Sequence, residues 1–180
     1  MYDDLHIVLF WTGCIRDIVV MIETISGYVF GSGKWPDNLN EIGAIKDFLK
    51  DVFGTMTIGA SGSLVELAVF DTAVHEISTF DDNRNRSALM HSIDQLRLFH
   101  GRQLNVDIND LLTFLAGHAF DGQSGDRHYV NNDVVIILDH RAREGASLSL
   151  ADRQMLQRIQ GRIIFINIGQ PSSDTINVNI

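Results

Sequence analysis

At 180 residues, 45% of them hydrophobic and 21% charged, the chain is long enough for one domain with a sizeable core. Its formal net charge of -9 argues against nucleic acid and against anionic membrane surfaces as partners. No stretch approaches the roughly 18 consecutive apolar residues that a spanning helix needs, so no membrane span is expected.

The chain begins with a short apolar run, Leu5 to Trp11. Asp3 and Asp4 stand where a secretory leader would carry basic residues, so the run reads as an extension or edge strand, with a truncated leader as the alternative. Cys14 is the single cysteine. It allows no internal disulfide and no cysteine-based zinc site. It reads as a small hydrophobe, or as a thiol that pairs outside this chain.

Asp17-Ile18-Val19-Val20-Met21-Ile22-Glu23 is an apolar run closed by carboxylates. Runs this short and continuous are expected of strands buried on both faces, as in a parallel sheet. Thr24 to Lys34 holds Ser26-Gly27 and Gly31-Ser32-Gly33 and reads as a loop. Pro36 suits the first turn of a helix, and Leu39, Ile42, Ile45, Leu49, Val52 and Phe53 follow at helical spacing. Gly54 to Ser63 reads as a turn.

In Leu64 to Phe70, Val65, Leu67 and Val69 alternate against Glu66 and Ala68, which predicts a strand. Val74 to Phe80 is a weaker strand after the Asp71-Thr72 turn, so the pair suggests a hairpin. Asp81 to Arg86 is a charged loop. Leu89, Ile93, Leu96 and Phe99 predict a short helix. Gly101 to Asp107 is a loop, and Ile108, Leu111, Leu112, Leu115 and Ala119 predict another helix, with Asn105 or Asp107 as its cap.

Phe120 to Asn132 is a polar loop. Asp133-Val134-Val135-Ile136-Ile137-Leu138-Asp139 repeats the pattern of the first strand. In open α/β sheets, ligands gather outside the carboxyl ends of the strands, so Asp139 is either a site residue or a plain turn residue. Ser149 and Asp152 have the spacing of a capping box, which opens a helix through Ile159. Gly161 ends that helix, and Arg162 to Ile168 is the last apolar strand. The expected fold is therefore α/β: a doubly wound, mostly parallel central sheet with one antiparallel edge strand and helices on both faces.

Other chemistry lacks a signature. None of the seven histidines forms a His-x-x-x-His pair. His140 is notable only because it follows Asp139. Gly31-Ser32-Gly33-Lys34 lacks the spacing of a phosphate loop, and Arg84, Arg86, Arg141, Arg143 and Arg153 read as solvated charges. No nucleophile and base pair is visible, so an enzyme is not expected.

In their order and spacing, four stretches resemble a von Willebrand factor type A domain. They are Asp17 to Glu23, Leu67-Ala68-Val69-Phe70-Asp71, Val134 to Asp139, and Ile163-Ile164-Phe165-Ile166-Asn167-Ile168-Gly169. The resemblance covers residues 14–170, with 1–13 as an extension or remnant leader and 171–180 as a tail. It implies a Rossmann-like sheet and a protein-binding module of adhesion or extracellular-matrix type. It also implies a metal-ion-dependent adhesion site holding Mg²⁺ or Ca²⁺.

That site departs from the family's Asp-x-Ser-x-Ser turn. Glu23 replaces the aspartate, Ile25 the first serine and Gly27 the second. The resemblance carries the ligand roles onto Glu23, Ser26, Asn105 and Asp139, and only Asp139 matches the family motif. Mg²⁺ wants hard oxygen ligands in near-octahedral geometry, so losing two hydroxyls implies weak or absent metal binding. The implied partner is a protein ligand such as a matrix component, and the implied location is extracellular. In secreted members a cysteine before the first strand commonly pairs with one after the domain, which for Cys14 would lie outside this chain. The alternative is a cytoplasmic scaffold of the same fold that works without metal.

Overall fold

The computed structural model describes residues 15–23, 38–70, 73–97, 108–122, 124–139 and 161–168. Among the described residues five strands form one sheet: β1 (Arg16–Glu23), β2 (Leu64–Phe70), β3 (Val74–Ser78), β4 (Asn131–Asp139) and β5 (Gly161–Ile168). Their order is β3-β2-β1-β4-β5. β1 pairs in parallel with β2 on one side and β4 on the other, and β4 pairs in parallel with β5. β3 is antiparallel to β2 and lies at the edge. The two apolar runs expected to be strands of a parallel sheet buried on both faces pair with each other at its centre, and the hairpin strand is the antiparallel one.

Helices cover both faces, as parallel strands require. α1 (Asn38–Gly54) and α2 (Arg86–Gln95) lie on one face. Ile42, Ile45, Leu49, Val52 and Phe53 of α1, with Leu89 and Ile93 of α2, pack on Ile18, Val20, Ile22, Val65, Leu67, Val69, Val135 and Ile137. α3 (Ile108–Phe114) covers the other face and runs into a π-helical turn, Leu115–Ala119. Leu111, Leu112, Leu115 and Ala119 pack there on Val19, Met21, Val134 and Ile136. Phe80 and Phe120 close this layer, with ring centroids 6.2 Å apart.

Two readings need correction, both of helices. The helix expected to include Leu96 ends at Gln95; Leu96 has ψ 130 and leaves the helix, although it stays buried. The helix expected to run from Ile108 to Ala119 changes register within itself, since the Phe120 N–H reaches the Leu115 carbonyl, five residues back, at 3.2 Å. β2 is not half-wet. All seven of its residues are buried, Glu66 included, because α3 and the π turn lie over the face that alternation leaves to water.

Polar ties fix the hairpin end. The Asn83 side chain is fully buried and donates to the Val65 carbonyl at 2.8 Å and to the Ser78 hydroxyl at 2.7 Å. It accepts from the Ser92 hydroxyl at 2.8 Å, so one amide joins β2, β3 and α2 with its partners satisfied. Asn85 caps α2 by accepting from the Ala88 N–H at 3.0 Å. Gly161 opens β5, where a Cβ would meet the Asn132 carbonyl oxygen at 2.3 Å, so the close strand pairing itself calls for glycine. The N-terminal run, the Thr24 to Lys34 loop, the Gly101 to Asp107 loop, the Ser149 to Ile159 helix and the tail from Pro171 lie outside the described residues.

Candidate functional site

Parallel strands put all their carboxyl ends at one edge of a sheet. β2, β1 and β4 end there side by side, at Phe70, Glu23 and Asp139. Glu23 pairs with Phe70, and Ile22 pairs with Ile137, so Glu23 stands level with Leu138 and one step short of Asp139. Glu23 shares the face of Val19 and Met21 and is 6% exposed. Of the four expected ligands, the structure therefore brings Glu23 and the chain position of Asp139 to one edge. Ser26, Asn105, His140 and the side chain of Asp139 lie outside the described residues, as does Cys14. Among the described residues no group of three or more His, Cys, Asp or Glu side chains could hold a metal ion.

The opposite edge uses its carboxylates differently. Asp17 and Asp133, which open the two central strands, are both fully buried. By alternation they lie on opposite faces. Asp17 accepts from the Arg127 backbone N–H at 2.9 Å and from its guanidinium Nε at 3.0 Å and Nη2 at 2.5 Å. Arg127 also donates to the carbonyls of Gly62, at 2.9 Å, and Ala60, at 3.2 Å. Asp133 accepts from Arg162 Nε at 2.9 Å and Nη2 at 2.7 Å, with Arg16 Nη1 at 3.7 Å. Bidentate guanidinium–carboxylate pairs of this kind satisfy both charges inside a core. Reading the sequence alone passes over Arg127 and Arg162. The available signal was that a buried strand opening with Asp needs a cation near its start.

Glu66 is the third fully buried acid among the described residues, and its surroundings are the reverse. It is 0% exposed, and among the described residues neither carboxylate oxygen has a hydrogen-bond partner. Burial, and then the charges of Glu76, Asp121, Asp126 and Asp82, push its carboxyl up to about 8. Asp126 is related to it: its side chain is 3% exposed, its Oδ1 lacks a partner among the described residues, and burial followed by the charge of Asp17 raises its pKa. His118 of the π turn meets Glu76 of β3 at 2.5 Å, which ties the covering layer to the sheet edge.

The model of the von Willebrand factor type A domain family matches residues 18–178. Among solved structures, three of proximal thread matrix protein 1 (PTMP1) from the mussel byssus superpose with TM-scores of 0.71, 0.69 and 0.68, each at 21% identity. They cover 87% of this chain but only 38% or 39% of the byssus protein, so this chain spans well under half its length. At that identity the likeness is one of fold. One of the three carries zinc in its MIDAS motif, the metal-ion-dependent adhesion site of that protein. No curated protein matches the chain. With nearly its whole length matched and a sheet of this order beneath the match, the chain belongs to the von Willebrand factor type A domain family.

Proposed function

We propose that this chain is a protein-binding module of adhesive or matrix type, secreted, which engages its ligand at the carboxyl edge of the sheet. The observation that carries this reading is the contrast between the two edges. At one edge Asp17 and Asp133 are closed by arginines. At the other, three strands deliver Glu23 and the Asp139 position side by side. Family membership supports interaction rather than catalysis, and the byssus relative of the same fold is a matrix protein by its name.

Glu23, Ser26, Asn105 and Asp139 form the contact region, within a domain placed at residues 14–170. Metal dependence is weak or absent in this reading, because Ile25 and Gly27 remove two hydroxyl ligands and Glu23 is a methylene longer than aspartate. A net charge of -9 favours a ligand that presents basic side chains. The test is solid-phase binding of the purified chain to decellularised matrix and to a panel of purified matrix proteins. Saturable binding that survives EDTA and is weakened by Asp139→Ala is the expected result. The absence of saturable binding to any matrix preparation would overturn the proposal.

A further inference from the structure

We propose that Glu66 is the proton-holding plug of a latch: protonated, it lets the layer of α3, the π turn and residues 120–122 and 124–130 close on the sheet, and ionised, it forces that layer open. The inference rests first on place. Glu66 sits in the middle of β2, opposite Val19 of the central strand, on the face that this layer covers. It is wholly enclosed, and no donor among the described residues reaches either oxygen. A neutral carboxyl in such a position costs little more than a buried amide, whereas a carboxylate there has lost its water with nothing in return.

The surrounding groups all act in one direction. Glu76 faces it from β3, Asp82 from the turn after β3, and Asp121 and Asp126 from the segment after the π turn. The basic side chains on these elements are engaged elsewhere: Arg127 with Asp17, His118 with Glu76, and Arg84 with Asp81. His128 lies 3.7 Å from Asp126 and is largely exposed, and Asp110 of α3 is exposed. Ionisation of Glu66 thus meets four carboxylates and no available counter-charge on the described elements packed around it. Water is the remaining source of relief, and the covering layer is what stands between Glu66 and water. A value raised to about 8 puts this event within reach of mildly alkaline conditions.

The test is amide hydrogen exchange of residues 108–130 in the whole chain from about pH 6 to about pH 9, corrected for intrinsic exchange, in wild type, Glu66→Gln and Glu66→Leu. The expected result is about tenfold or more loss of protection at the alkaline end in wild type, and less than about twofold change in either neutral variant. Equal losses in wild type and variants, or constant protection in wild type, would overturn the proposal. Should neither variant fold, infrared spectroscopy of wild type decides. A protonated-carboxyl band present at neutral pH must fade over the same pH range in which protection is lost. A missing band, or one that persists through the opening, refutes the latch.

Discussion

Arg162 stands directly opposite Asp133 across the β4–β5 pair and closes it with two hydrogen bonds, of 2.9 and 2.7 Å. On the other face of the sheet, Arg127 does the same for Asp17 from the segment before β4. The two central strands are thus pinned at their starting edge by charge pairs, and along their length by apolar packing.

Breaking one pin strands a buried charge. Arg127→Met is expected to cost about 3–5 kcal/mol in denaturant unfolding, because Asp17 would remain enclosed without its partner. Asp17→Asn in the same background should recover much of that loss, since the neutral amide no longer needs the cation. A double variant as unstable as the sum of the two single ones would show that the pair is not coupled.

Core position can be checked in β4. Ile137 is 1% exposed and pairs with Ile22 in the centre of the sheet. Ile137→Asp is expected to abolish cooperative folding, since an uncompensated charge there costs several kcal/mol against a typical total of about 5–15 kcal/mol. A cooperative melt shifted by only a degree or two would contradict the placement.

Stability should depend on pH through Glu66. Its folded value, about 8, lies above its ordinary value of 4.5, so the native state holds a proton that the unfolded state releases. Wild-type stability is therefore expected to fall as pH rises from 4.5 to about 8, by about 3–5 kcal/mol, and then to level off. Glu66→Gln should flatten that slope. Urea titrations at a series of pH values measure it, and parallel slopes in both proteins would contradict the assignment.

Removing or adding metal should do little. With the hydroxyls of the family motif replaced by Ile25 and Gly27, the melting temperature is expected to shift by less than about 2 °C between EDTA and millimolar Mg²⁺. A rise of several degrees with Mg²⁺, lost in Asp139→Ala, would establish a working metal site.

The central strands were legible because they are covered on both faces, and such strands must be continuously apolar; Ile18 to Ile22 and Val134 to Ile137 are. β2 was legible as a strand but not as a doubly covered one. Glu66 falls on the alternate position where a one-faced strand carries its wet residues, and its cover arrives from residues 108–130, far along the chain. The Asp17–Arg127 and Asp133–Arg162 pairs depend on strand register and on a loop path, neither of which leaves a local periodicity. At the candidate site, Glu23 and Asp139 could be placed because they end strands, whereas Ser26 and Asn105 belong to loops, whose path a hydrophobic pattern does not encode.

The sheet order also sets a timetable for assembly. β1 is the first of the described strands, yet it lies at the centre with later strands on both sides. Its contact with the β2 end, seen in the bond from the Arg16 N–H to the Ser63 hydroxyl, closes a separation of 47 residues. The Arg127–Asp17 clamp closes one of 110. Longer loops cost more entropy to close and are closed later, so β1, β2 and the hairpin can pair while the β4 edge of β1 is still open. Until β4 arrives, that edge offers unpaired N–H and C=O groups beside one of the most apolar segments of the chain, which makes the interval before β4 docks the period of greatest exposure to strand-swapped association.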